Sequence, residues 1–298
     1  MNHPELENNF KPPLSEFLKI HKWYPAVPHS DEYAWINYEK YAVVRYPFFN
    51  FSSPTPEEIK TIFKKSGAAV LSYSLPCPET EANTWWYVCR KFDPANMKFT
   101  FAKSVKRGLK SFTVREITAE ELIRCGFQAY SETRKRIGLT DYNISDFKKK
   151  YSPAVMNASN YLLGAFSGAH LAACHVVNIF NNYVEGAGVL SCNDALKDCP
   201  NDILIYTLFD EFLNKRKYSL VSYGFSSIQE KKENDGLHKF KIKCGFEAVP
   251  VKRVFVVNPK YKLFINPATE NVLSMADKLF PGNRMLRKAL GILRNIQP

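Results

Sequence analysis

A chain of 298 residues, 45% hydrophobic and 23% charged, is long enough to bury one large core or two modest ones, and its composition excludes wholesale disorder. Forty-one Lys and Arg against 29 Asp and Glu give a formal net charge of +12, which favours an anionic partner: CoA phosphates, an acyl carrier protein, tRNA or an anionic membrane face. Met1 to Lys19 carries no apolar secretion signal, and no stretch approaches the roughly 20 apolar residues of a membrane span. The seven cysteines contain no C-x-x-C pair, so the sequence reads as a cytoplasmic chain with reduced thiols, no disulfide framework and no metal site.

In chain order, residues 1–37 read as a lead-in with one short helix near Leu14 to His21. Tyr41 to Tyr46 is β-rich, and Pro47 to Pro56 is a turn-rich connector. Thr55-Pro56-Glu57-Glu58 opens a helix, with a capping hydroxyl, Pro in the first turn and acids at the positive end of the dipole. Gly67 stops it. Ala68 to Leu75 and Thr84 to Arg90 follow as strands. Between Phe101 and Lys110 the cations Lys103, Lys106, Arg107 and Lys110 share one helical face, with Phe101, Val105 and Leu109 on the other.

Phe112 to Ile117 reads as a strand. Thr118-Ala119-Glu120-Glu121 is a capping box opening a helix that runs to about Arg136. Tyr161 to Phe166, Leu171 to Phe180 and Tyr183 to Leu190 are successive strands joined by Ser167-Gly168 and Asn181-Asn182 turns. A helix starts at Pro200 and ends near Lys215 to Lys217. Leu220 to Phe225 is a strand, Gly236 to Lys243 a helix closed by Gly245, and Val249 to Val257 a last strand. Pro281 to Pro298 is a basic amphipathic helix suited to a membrane surface or a carrier protein. This order predicts an α+β fold with a mixed sheet, in which the Tyr183 to Phe225 segment is a parallel crossover.

Tyr223-Gly224-Phe225-Ser226-Ser227, then Gly236-Leu237-His238-Lys239-Phe240-Lys241, then Cys244-Gly245-Phe246 resemble the FemAB-like branch of the GNAT superfamily, close to the BioF2-like or CelD-like acyltransferases. In that branch a strand ending in a Gly-Ser turn precedes a short helix carrying G-L-x-x-F-K. Tyr130 to Arg136 resembles the branch's Y-x(5)-R helix. The resemblance implies a GNAT-like mixed sheet in two tandem lobes: a degenerate first lobe over 38–117, an acyltransferase domain over 118–258 and the basic tail over 259–298. It implies N-acyl transfer to a small-molecule amine from acyl-CoA or acyl carrier protein, used as a co-substrate with no tightly bound cofactor. Branch members that use aminoacyl-tRNA carry long helical arms, and no such insertion stands here. Ordinary CoA-binding members carry a Gly-rich pyrophosphate loop where this chain has Val189 to Pro200, without a glycine after Gly188. An aminoacyl-tRNA enzyme and a non-catalytic nucleic-acid-binding module are the alternatives.

Acyl transfer needs a base for the ammonium proton, donors for the oxyanion and an acid for the leaving group. Lys241, by resemblance, meets a phosphate or the oxyanion. Glu185, inside an apolar strand, is the candidate base, with His175 of the preceding strand expected near it. Tyr223 is the candidate acid. Arg136 is expected to anchor a carboxylate or phosphate, and Phe240, Ser226 and Asn201 to contact substrate. Cys174 adjoins His175, but neighbouring strand residues face opposite ways, which argues against a thiol nucleophile.

Overall fold

Runs rich in β-branched and aromatic residues form the strands of this protein, and amphipathic segments form its helices. The structure is a computed structural model describing residues 25–28, 32–38, 41–139, 143–156, 159–180, 182–226, 236–264, 267–280 and 284–296. The strands are β1 (Pro25–Pro28), β2 (Ala34–Tyr38), β3 (Ala42–Tyr46), β4 (Val70–Pro76), β5 (Thr84–Cys89), β6 (Thr113–Glu116), β7 (Asn160–Ser167), β8 (His170–Phe180), β9 (Tyr183–Ser191), β10 (Leu220–Phe225) and β11 (Glu247–Val257). The helices are α1 (Pro56–Ser66), α2 (Phe99–Ser111), α3 (Ala119–Cys125), α4 (Phe127–Arg136), α5 (Ile144–Lys150), α6 (Pro200–Phe209), α7 (Gly236–Cys244), α8 (Pro267–Leu279) and α9 (Arg284–Asn295). A π-helical turn, Asp210–Lys215, extends α6.

Two compact units emerge, and neither follows the linear boundaries at 38, 118 and 259. One comprises Lys22–Trp86, Phe225–Asp235 and Val249–Pro298. Its strand order is β1-β2-β3-β4-β11, with β3 and β4 parallel and the other neighbours antiparallel. The Thr55 hydroxyl caps α1 by accepting from the Glu58 amide at 3.1 Å, and Gly67 ends it at φ 66°. Ile62 and Phe63 of α1 pack on Trp35, Val43 and Leu71. The expected lead-in therefore contains two strands, and the expected tail belongs to this unit. Leu290 of α9 is buried, while the exposed apolar side chains Val272, Met275, Leu279 and Phe280 stand on α8 and just after it. The expected helix near Leu14 to His21 lies outside the described residues.

The other unit holds Tyr87–Gly224 and Gly236–Ala248. Here β6, β7, β8 and β9 form an antiparallel meander, and β10 joins β9 in parallel. The crossover between them runs through α6. Phe101 and Val105 of α2 are buried as the spacing predicts, but Leu109 is 59% exposed. Gly108 takes the buried place instead, so close to α6 that an added Cβ would stand 3.1 Å from the Ile203 Cβ and the Cys199 carbonyl. The expected single helix from Thr118 to Arg136 breaks at Gly126 into α3 and α4. A Cβ there would meet Leu122 Cδ1 at 2.5 Å. Asn143 opens the unanticipated α5 by accepting from the Asp146 amide at 2.8 Å. Phe147 of α5 packs against Tyr130 and Tyr151.

Candidate active site

β9 and β10 pair over three positions only: Leu220 with Tyr183, Val221 with Val184, and Ser222 with Glu185. Beyond Ser222, β10 has no partner positions on β9. On its other edge β9 pairs with β8 through an irregularity: Val176 faces Gly188, Val177 faces Gly186, and Ala187 is left over as a bulge. A bulge bends its strand and redirects its backbone groups. The β9–β10 ladder thus ends where β9 carries Gly186 and Gly188 and β10 carries Gly224. A Cβ added at Gly188 would meet nothing within 4 Å. Gly224 has φ 75°, and a Cβ there would come within 4.0 Å of Glu185 Oε1.

The bulge also redistributes side chains between the two faces. Directly paired residues share a face. Glu185, opposite Asn178 and Ser222, lies on one; His175, opposite Val189 and on the side of Gly186, lies on the other. An added Gly186 Cβ would touch His175 Nε2 at 2.7 Å. Glu185 and His175 are therefore apart, contrary to the expectation from strand alternation, because Ala187 shifts the phase of every residue after it.

The His175 face carries the aromatic cluster around Lys241. Tyr223 stands 6.2 Å from the His175 ring, 6.3 Å from Phe240 and 5.5 Å from Phe246, centroid to centroid. The Lys241 ammonium lies 4.0 Å from the Tyr87 ring centroid and 4.8 Å from that of Tyr223, with the residue 3% exposed. Tyr87 Oη is 2.8 Å from His238 Nδ1. Burial pushes the Tyr223 hydroxyl well above the usual tyrosine range, so it stays protonated. Neighbouring Lys243 is ion-paired with Asp202 on α6.

Three residues of α4 fasten the connector that follows β9. Thr133 Oγ1 accepts from the Ser191 amide at 2.8 Å. Arg136 donates to the Ser191 carbonyl at 3.1 Å, to its hydroxyl at 2.9 Å and to Asn193 Oδ1. The Asn193 amide donates to Glu132, whose carboxyl pKa is lowered chiefly by that bond. Arg136, expected to hold a substrate anion, thus spends its donors on the connector. Asn201 Nδ2 lies 3.5 Å from Ser191 Oγ, at the start of α6, where Cys199 adopts φ 61° and Pro200 follows.

Solved structures resemble this chain in fold. FemX superposes with a TM-score of 0.53 at 11% identity, over 78% of this chain and 85% of that one. A conserved protein of unknown function from Bacteroides thetaiotaomicron VPI-5482 gives 0.50 at 9% identity, over 80% and 87%. L-PGS from Bacillus licheniformis gives 0.48 at 10% identity, over 86% and 95%. No protein-family model matches the sequence, and no curated protein does. The chain shares the fold of FemX.

Within this fold the Gly236 to Phe246 motif forms α7 and the turn after it, and it delivers Phe240 and Lys241 to the face of β10. Ser226, by contrast, is tied into the other unit: its hydroxyl accepts from the Trp85 amide at 2.9 Å and meets Thr84 Oγ1 at 3.2 Å. Ser227 lies outside the described residues. Sequence reading missed Tyr87, which has no marker within an ordinary β run, and His238, which occupies an unspecified place in the motif. It also missed Glu132 and Thr133, whose roles depend on where the β9 connector passes.

His175 is buried, and neither ring nitrogen has a hydrogen-bond partner among the described residues. Burial lowers its pKa from 6.5 to about 3, too weak a base to take an ammonium proton at neutral pH. The unfolded chain protonates first as pH falls. Stability contributed by the neutral ring is therefore complete above pH 6.5 and lost at about 1.4 kcal/mol per pH unit towards pH 3. His175→Gln is expected to flatten the dependence of urea unfolding on pH between 6.5 and 4.5. An unchanged slope would assign the proton uptake to another group.

Proposed function

We propose that the protein is an acyltransferase that moves an acyl group from a thioester, acyl-CoA or an acyl-carrier-protein thioester, to a small-molecule amine. The observation that carries this reading is the early end of the β9–β10 ladder beside the Ala187 bulge, where the two strands would part to form a gap. An extended thioester arm fits between parted strands, where it meets backbone donors and acceptors that no longer pair with each other. In this reading the amine approaches from the Glu185 face, and Glu185 takes the first proton from the ammonium. The amine nitrogen attacks the acyl carbon, the carbon–sulfur bond breaks, Tyr223 gives its proton to the departing thiolate, and the second proton shed by the new amide nitrogen returns to Tyr223. Lys241 supplies the positive charge for the oxyanion. Phe240 packs along the arm, Asn201 marks the start of α6 where the donor's anionic end would lie, and Arg136 acts through the connector it holds. Ser226 is held by the Trp85 amide.

A second reading, transfer from aminoacyl-tRNA, is favoured by one observation. The Asn193 amide is already taken by the Glu132 carboxylate, where a CoA pyrophosphate would seek a donor, while Lys103, Lys106 and Lys110 are exposed along α2. The test offers acetyl-CoA, an acyl-carrier-protein thioester and aminoacyl-tRNA separately, each with a mixture of amines, and detects the amide by mass spectrometry. Amine-dependent consumption of a thioester is expected, lowered at least tenfold by Gly188→Leu. That variant places a side chain in open space and should leave the melting temperature unchanged. Turnover of aminoacyl-tRNA alone would establish the second reading, and full thioester turnover by Gly188→Leu would remove the gap from the mechanism.

A further inference from the structure

At the far end of the β8–β9 hairpin, away from the β9–β10 ladder, three residues of different chemistry converge. His170 is the first residue of β8, and Cys192 and Asp194 follow β9 directly. One imidazole nitrogen, the Cys192 sulfur and one Asp194 carboxylate oxygen all lie within 4.8 Å of one another. Cys192 is fully buried and held in place: its amide donates to the Ala172 carbonyl at 2.9 Å, and its thiol faces the Leu171 carbonyl at 3.6 Å. His170 and Asp194 are exposed, and among the described residues neither side chain has a hydrogen-bond or ion-pair partner.

We propose that His170, Cys192 and Asp194 form a zinc-binding site. Thiolate, imidazole and carboxylate are the ligand types that zinc takes, and tetrahedral bonds of about 2.0–2.3 Å place neighbouring ligand atoms roughly 3.3–3.6 Å apart. The two exposed side chains need only rotate inward by about an ångström to close on the fixed sulfur. A softer thiolate among harder ligands selects zinc over magnesium or calcium. Three protein ligands leave the fourth position to solvent, as in zinc sites that keep an exchangeable water. Binding converts the Cys192 thiol to a thiolate, with its proton released to solvent. The sequence hides the site because its ligands stand before the first strand pair and after the last residue of a long hairpin, and follow no C-x-x-C spacing.

The metal would tie the start of β8 to the connector that Thr133, Arg136 and Glu132 hold from the α4 side. Its presence would therefore be felt as stability as well as occupancy. The test titrates the purified full chain with zinc against a chromophoric chelator, and separately with cobalt(II). One equivalent of zinc per chain is expected, with a near-ultraviolet sulfur-to-cobalt charge-transfer band and a rise in melting temperature. Cys192→Ser should abolish the band, and His170→Ala and Asp194→Asn should each weaken zinc binding at least tenfold. The last two are surface changes that leave the fold intact, so they separate loss of a ligand from loss of structure. Zinc binding by both at wild-type affinity would overturn the site, as would the absence of stoichiometric binding by the wild-type chain.

Discussion

Lys241→Met is expected to lower the rate of acyl transfer by on the order of 10²–10³-fold, the cost of removing one charged donor from a developing oxyanion, while leaving the chain folded. Methionine has nearly the same length, and its sulfur packs well between aromatic rings such as those of Tyr87 and Tyr223. That makes the retention of an ammonium informative. A buried lysine at a position that methionine could fill is what the proposed role of its charge requires. Steady-state kinetics with the active donor would show the loss in kcat/KM, with the melting temperature as control. Activity within tenfold of wild type would leave Lys241 as a structural cation.

The elements that sequence made legible are those with strong local signals. Thr55 and Gly67 bound α1, Thr118 opens α3, and Gly245 closes α7, because capping and left-handed backbone are decided within a few residues. The three strands from Tyr161 to Leu190 were equally clear. What stayed hidden depends on partners distant in sequence. Whether Glu185 meets His175 is settled by a single extra residue, Ala187, in a ladder whose register involves β8. Leu109 and Gly108 exchange places because the facing helix α6 comes too close for a side chain at Gly108. The motif singles out Lys241, yet nothing in it indicates that the ring of Tyr87, more than a hundred residues earlier, lies against its ammonium. The chain also leaves one unit and returns to it, so a division drawn along the sequence could not reproduce the compact units.

Arg45→Met is expected to destabilise the unit containing β1–β4 by about 3 kcal/mol, because it breaks a buried pair from one side. Arg45 is 1% exposed, opposite Trp35 in the β2–β3 ladder. Its guanidinium lies 4.4 Å from the Tyr33 ring and 4.7 Å from that of Trp35, 3.8 Å from Glu58 Oε1, and it donates to Asn50 and Ser52 in the connector after β3. Glu58 also accepts from Trp35 Nε1 at 2.6 Å and Tyr33 Oη at 3.2 Å. Read in sequence as a helix-opening acid, Glu58 thus does two jobs: its amide is capped by Thr55, and its carboxylate joins α1 to the sheet. Methionine would keep the apolar contacts with the rings but leave the carboxylate without its cation and the connector without its donor. The double variant Arg45→Met/Glu58→Gln should recover at least about 1 kcal/mol of the loss, since a neutral amide costs less to bury than an unpaired carboxylate. Urea unfolding of the four proteins measures the coupling directly. Additive losses would mean that ring contacts and the connector, rather than the charge pair, hold α1 in place.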